Sequence, residues 1–515
     1  MTNVNSNNKR IAKNTVILYL RLLATMAVSL YAARVVLDVL GVSDYGVYNV
    51  TGSVISMFTF VSSTMATATQ RYLSFELGKG SDQNVKKVFM QSLYSYLFIL
   101  FVVLFIGETI GLWILNNILV IPANRMFAAN IVYQFSILTF MCSVIHAPLN
   151  ASIIAMERMS VFAYGTIFLS FLNLFAVLVL DYFRFSDALI AYAILVFLAN
   201  LFVTIFYWYY CVTNFDFCSL RLGKMDKTLI SQMTSFAFWN VIGTITNILR
   251  NHGVNILLNV FFSPTINTAR AIALKISTIL TQFSSNFYMA VRPQLVKLYS
   301  IGQKEKMFEL GFQSSRFAFF LLLILVVPIF CEVDKLLGIW LTQVPDYTVL
   351  FVRIILLMSL MEVLGVPLDH MMQASGCLKE YQISVCSVNI LNIPLSYIVL
   401  KFGFGPEFTM YINALLFIAS FIPRLIKSKK IINMPICAYL KSVVLRLLPP
   451  SFVVSIWIVL SGKMEIIKDT NVFIALVIHF LFVVFIVGCL GLSYKEKNMI
   501  LKAIVEKIIL KKIER

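Results

Sequence analysis

Residues 37–77 read "LDVLGVSDYGVYNVTGSVISMFTFVSSTMATATQRYLSFEL", and residues 258–298 read "LNVFFSPTINTARAIALKISTILTQFSSNFYMAVRPQLVKL". Laid over one another at an offset of 221 residues without a gap, they match at Leu37, Val39, Ile55, Ser63, Arg71 and Leu77 against Leu258, Val260, Ile276, Ser284, Arg292 and Leu298. Farther along, "PLNASIIA" (148–155) falls on "PLDHMMQA" (367–374) at an offset of 219, and Asn173 falls on Asn392. Two collinear matches at nearly one offset read as a duplication.

The chain around these matches is 60% hydrophobic and 13% charged over 515 residues, with a mean hydropathy of +0.87, too apolar for a soluble protein. Roughly 20 mainly apolar residues cross a ~30 Å hydrocarbon core, and about fourteen such segments recur along the chain. Six spans then fall in each repeat, so both repeats enter the membrane in the same direction and form parallel lobes about an axis along the membrane normal. The expected fold is all-α: an N-terminal six-helix lobe over 1–215, a C-terminal six-helix lobe over 216–430, and two additional helices with a basic tail over 431–515.

Lys and Arg are distributed unevenly between alternate loops. One side collects Lys9, Arg10 and Lys13, then Lys79, Lys86 and Lys87, then Arg424, Lys427, Lys429 and Lys430, and finally the tail. Cytoplasmic loops hold the positive excess, so both termini are expected inside, with the turn at Ser263 and Pro264 outside. The formal charge of +18 thus reports topology rather than nucleic-acid binding. The tail "KEKNMILKAIVEKIILKKIER" reads as a basic amphipathic helix, lying on anionic lipid or docking a partner. The first apolar segment is too long for a signal-peptide core and is expected to stay in the mature chain.

Short loops argue against an enzyme, since no folded domain fits between spans and no phosphate-binding loop, nucleophile elbow or HExxH occurs. Four dispersed histidines and eight singly placed cysteines imply neither a metal nor a disulfide framework, and no cofactor is expected. A transporter is the reading for a bundle of this size with polar residues inside.

Those polar residues form stripes. In "VILYLRLLATMAV" (16–28), Arg21 lies about 12 Å inward from Lys13 and shares a helical face with Asn14 and Thr25. A cation near the bilayer centre costs about 2.5 to 3.5 kcal/mol, so Arg21 either faces a polar interior or snorkels to the headgroups. Ser56 and Ser63 belong to a stripe in the second span, Asn247 and Asn251 with Arg250 to one in the seventh, and Arg270, Lys275 and Thr281 fall in the eighth. Hydroxyl stripes serve helix packing as well as cavities. Glu362 and Asp369, seven residues apart on the tenth span, are either ion-coupling carboxylates or structural partners of arginines such as Arg353 or Arg316. Arg71 and Arg292, about 39 Å along their helices, are expected at the cytoplasmic surface as membrane anchors or as two sides of a gate.

The stretches "KNTVILYLRLLATMAVSLYAARVVLDVLGVSDYGVYNV" (13–50), "MATATQRYLSFELGKG" (65–80) and "PLNASIIAMERM" (148–159) resemble the oligosaccharide-lipid flippases of bacterial O-antigen and capsule pathways, within the MOP superfamily that also holds the multidrug and toxic compound extrusion (MATE) pumps. The likeness is densest over 9–165 and fades after about residue 430. It implies movement of an undecaprenyl pyrophosphate-linked oligosaccharide from the cytoplasmic to the periplasmic leaflet of the inner membrane, with anionic lipids, polysaccharide polymerase and chain-length proteins as partners. Pyrophosphate suits guanidinium groups, which offer paired donors. Arg21, Arg250, Arg270 and Lys275 are then the headgroup-binding set, lined by Thr25, Ser56, Ser63, Asn247, Asn251 and Thr281. A MATE-type ion-coupled multidrug exporter and a non-transporting membrane scaffold are the alternatives.

Overall fold

A computed structural model describes residues 2–492, 496 and 497, apart from 57, 118, 120, 184, 219–223, 263, 342–343 and 465–469. The tail beyond residue 497 and the turn position Ser263 lie outside the described residues. Within them the chain is nearly all helical and has no strand. In order the helices are α1 (Thr2–Ser56), α2 (Thr59–Lys79), α3 (Asp82–Asn117), α4 (Met126–Ala155), α5 (Met159–Tyr182), α6 (Ala188–Asn214), α7 (Lys227–Phe261) and α8 (Pro264–Ser300). They continue with α9 (Lys304–Cys331), the short α10 (Val333–Trp340), α11 (Thr348–Ser375), α12 (Lys379–Lys401), α13 (Phe408–Ile432), α14 (Ile436–Ser461) and α15 (Val472–Gly491).

Ten of these are long and apolar enough to cross a membrane, and the chain is a multi-pass membrane protein. The ten do not include α1, α2, α7 and α8, which carry the polar stripes of the first two spans of each repeat. In α2, α7 and α8 polar residues recurring along the helix lower the average hydropathy, whereas residues 16–33 of α1 carry a single charge among apolar neighbours and are apolar enough to span.

The first two expected spans are merged in α1, whose helix is broken inside at Gly41 (φ 72°, ψ 170°). That left-handed φ is open to glycine and strained for other residues. Around the break Val36, Leu40 and Val47 pack on Ala128, Ala129 and Val132 of α4, with Leu189 and Ala193 of α6. Arg125 fixes the same end of these helices. It is paired with Asp44, just beyond the break, and with Asp187 at 2.9 Å, while Asp187 accepts from the amides of Leu189 and Ile190 and so caps α6.

Irregular backbone inside the apolar spans has its polar groups satisfied locally. In α3 a π turn at Gly107–Gly111 frees a carbonyl, and Tyr133 Oη donates to Gly107 O at 2.8 Å. Its hydroxyl occupies the place a Cβ on residue 111 would need, 1.9 Å away, so only glycine fits.

The chain divides into two compact units. Unit 1 comprises Met1–Thr244, Asn286–Met307 and Gln373–Gln382; unit 2 comprises Ile245–Ser285, Phe308–Met372 and Ile383–Arg515. In unit 1 the connection into α7 is pinned to α3. Gln91 donates to Lys224 O and accepts from Asp226 N, each at 3.0 Å, and Lys87 meets the Asp226 carboxylate at 2.6 Å. The Lys87 ammonium, with help from Thr228, holds that carboxyl below the usual carboxylate range. In unit 2 the helices after α13 are fastened through buried polar groups: Arg316 pairs with Glu496 and donates to Ser442 O at 2.8 Å. Trp457 of α14 donates to His479 Nδ1 of α15 at 3.0 Å, leaving His479 Nε2 3.5 Å from Glu332.

Candidate functional site

In unit 1 the site is built around Arg21, half-buried on α1. Its Nη2 donates to Asn286 Oδ1 on α8, and its guanidinium carbon lies 4.9 Å from the ring centre of Phe162 on α5. Its Nε is buried without a hydrogen-bond partner. Behind Phe162, Tyr207 donates to the Phe162 carbonyl at 3.2 Å and stacks on His146, with ring centres 5.2 Å apart. His146 in turn meets Asn150, one turn on along α4. Gly165 lets α5 come this close to Tyr207, whose hydroxyl would lie 2.1 Å from a Cβ there. Thr25 donates to Arg21 O at 2.9 Å, and Ser63 to Phe60 O at 3.0 Å. Their hydroxyls are satisfied on their own helices and offer only lone pairs outward. The side chain of Ser56 lies outside the described residues.

The sequence reading did not find Asn286, Phe162, Tyr207 or His146. Asn286 is two residues from Ser284 and therefore off the α8 stripe that runs through Arg270, Ser277, Thr281 and Ser284.

In unit 2 the site consists of guanidiniums on α7, α8 and α13 with two carboxylates on α11. Arg250 pairs with Glu362 at 3.3 Å, and Arg424 pairs with Asp369. The structure thus gives Glu362 and Asp369 arginine partners, but not the two expected: Arg353 pairs with Asp334, and Arg316 with Glu496. Arg424, grouped with the cytoplasmic cations from its place near the end of its span, is in fact buried within α13.

Arg270 differs from both paired arginines. It is only 2% exposed, Nη1 donates to the neutral amide of Asn255 at 3.0 Å, and Nε has no partner. No carboxylate pairs with it among the described residues. Of these three guanidiniums, Arg250 and Arg424 have carboxylate partners and Arg270 has an amide. Lys275 and Asn247 are exposed, Thr281 is exposed and donates to Ser277 O at 2.9 Å, and the side chain of Asn251 lies outside the described residues.

Arg71 and Arg292, expected at the cytoplasmic surface as anchors or as two sides of a gate, both donate to backbone carbonyls of neighbouring helices. Arg71 is 6% exposed in unit 1, where Nη2 donates to Ala374 O at 3.0 Å, one of the unsatisfied carbonyls at the end of α11. Its guanidinium lies 4.5 Å from the ring centre of Tyr72, 5.0 Å from Phe75 and 5.7 Å from Phe236. Aromatic faces and a helix end hold this guanidinium within the protein. Arg292 is half-buried, with Nη2 3.4 Å from Thr67 O on α2. Gly376, at φ +80°, makes room for Arg71, whose Nη2 would lie 2.7 Å from a Cβ there. Gly376→Ala combines that clash with a strained φ and is expected to cost about 1 to 3 kcal/mol. Thermal unfolding followed by tryptophan fluorescence checks this, with the midpoint falling by several degrees.

No protein-family model matches the chain, and no curated protein does. Solved structures do match. An outward-facing conformation of a multidrug resistance MATE family transporter of the MOP superfamily aligns with a TM-score of 0.73 at 12% identity, covering 82% of this chain and 96% of that one. The fold is that of the MATE transporters. A crystal structure of a MATE point mutant aligns at 0.70 and 12% identity, covering 83% and 97% of the two chains. A mutant of a Vibrio cholerae MATE transporter aligns at 0.66 and 14% identity, covering 84% and 99%. The MATE fold thus spans nearly the whole length of each solved chain.

Proposed function

We propose that this protein is a flippase of the bacterial inner membrane that carries an undecaprenyl pyrophosphate-linked oligosaccharide from the cytoplasmic to the periplasmic leaflet by alternating access, with both termini cytoplasmic. The observation that carries the reading is Arg270, a guanidinium 2% exposed and held by a neutral amide. Burying a cation without a counter-ion is expensive, and a site that keeps one is suited to an incoming anion. Arg21 supports the same class, since its internal partner is also a neutral amide. With the cell interior negative, outward movement of an anion gains roughly 2.3 kcal/mol per net charge per 100 mV, which favours export. Anionic lipids and the polymerase and chain-length proteins of polysaccharide assembly are the proposed partners.

A multidrug exporter is the second reading, favoured by the MATE fold itself. A cationic drug would meet excess positive charge in unit 2, where both carboxylates already have arginines. Proteoliposomes separate the two. The flippase reading expects pyrophosphate-linked oligosaccharide loaded in one leaflet to become accessible to a hydrolase added outside, at least about tenfold faster than in empty vesicles. Efflux of a cationic dye without that exposure would replace it with the exporter.

A further inference from the structure

The turn between α4 and α5 holds the most enclosed carboxylate in unit 1. The Glu157 side chain is 2% exposed, and its backbone lies at φ 60°, a left-handed conformation that a glutamate adopts at a cost. Its oxygens are shared by three donors: Arg10 of α1 at 2.6 Å, Lys297 of α8 at 2.6 Å and Gln294 of α8 at 2.5 Å. Asn14 Nδ2 lies 3.5 Å from the Glu157 carbonyl. Arg10 and Glu157 belong to the first sequence repeat, Gln294 and Lys297 to the second.

Among the described residues a second ion pair also joins the repeats, Lys87 with Asp226, but it lies in the connection into α7 with side chains 50% and 24% exposed, whereas the Glu157 side chain is 2% exposed. Arg125 with Asp44 and Asp187 joins residues of one repeat, and Arg316 with Glu496 joins the second repeat to the appended helices. Ties of that kind can persist while one repeat moves against the other. The tie through Glu157 cannot. The same stretch of α8 also meets first-repeat residues through Asn286 with Arg21 and Arg292 with Thr67, and Gly78 leaves α2 and α8 close, with Lys297 Cα 2.9 Å from where a Cβ would stand. Those contacts use neutral acceptors, which water replaces at little loss. Glu157 is instead a desolvated charge whose stabilisation depends on both repeats.

We propose that Glu157 is a charge latch, which holds the end of α8 against α1 and the α4–α5 turn and must release Lys297 and Gln294 for this side of the molecule to open. The proposal rests on the alternating-access reading. When α8 leaves, water reaches the carboxylate while Arg10, on Glu157's own repeat and already 48% exposed at its side chain, goes with it as counter-ion. The carboxylate is then paired in both states, and the latch sets their balance instead of blocking one.

Pulsed electron spin resonance tests this on the full chain in proteoliposomes, with spin labels at Arg158 and Gln303, both exposed. Glu157→Gln keeps the shape and removes the charge, and is expected to raise the ratio of long to short distances about tenfold. Lys297→Gln, at a partly exposed position, is expected to raise it in the same direction and carries the test if Glu157→Gln does not fold. Asp334→Asn, which breaks the exposed pair with Arg353, is expected to leave the ratio unchanged. Unchanged distances in both latch variants overturn the proposal, as does an equal shift in all three. No substrate enters the measurement. A protein that moves no pyrophosphate lipid yet opens in Glu157→Gln would lose the flippase reading and keep the latch.

Discussion

Arg270→Met is expected to lower export of the lipid-linked oligosaccharide by at least about a hundredfold while leaving the protein as stable as its parent or more so. The two halves of this result test different things. Arg270 is 2% exposed and its described partner is an amide, so the folded protein bears most of the cost of desolvating the cation. Replacing buried charge with an apolar side chain of similar volume is neutral or stabilising by about 1 to 4 kcal/mol. Arg424→Met has the opposite expectation for stability, because it leaves Asp369 without its guanidinium. Thermal unfolding of both variants, with lipid-linked intermediate quantified in a strain that lacks the parent protein, decides the matter. Loss of stability in Arg270→Met with export in proportion to the protein remaining would make Arg270 a structural residue and remove the main support for an anionic substrate.

Why the sequence reached these arginines and not their partners follows from what a linear pattern records. Spans are legible because apolar length is a local property, and α1, α2, α7 and α8 were marked by polar residues at helical spacing. Gly41 breaks α1 at the boundary expected between the first two spans. Pairing is a different kind of information. Arg250 meets a carboxylate 112 residues away, and Arg21 an amide 265 residues away. The seven-residue spacing of Glu362 and Asp369 placed both on one face of α11 and said nothing of which arginines come to it. Arg71 shows the limit from the other side. Tyr72 and Phe75 are its neighbours in sequence, but Phe236 and the Ala374 carbonyl, which complete its burial, are not. A surface anchor and a buried clamp look alike until those two arrive. Glu157 was overlooked for the same reason, being a lone acid in a short turn whose cations come from α1 and α8.

Asn286→Asp is expected to impair export more than Asn286→Ala, and this contrast identifies what Arg21 does. Asn286 Oδ1 accepts from the Arg21 guanidinium in the structure. Alanine removes that acceptor and leaves the cation free for a ligand, so a modest loss is expected, within about threefold. Aspartate offers the same geometry with a full negative charge, and at that separation the internal pair competes with any phosphate that approaches. A loss of about tenfold to a hundredfold is expected, with protein abundance and unfolding midpoint unchanged or raised. Arg21→Ala is expected to fall at least as far. Arg21→Lys should recover part of the activity, since an ammonium retains charge but not the forked donors that match a phosphate. If Arg21 only snorkels or braces α1 against α8, the order reverses: aspartate strengthens the contact, export stays at the parent level, and Asn286→Ala is the weaker variant. Measuring the lipid-linked intermediate on the cytoplasmic leaflet across the four variants distinguishes these orders, because an anion site is harmed by a better internal partner and a structural contact is helped by one.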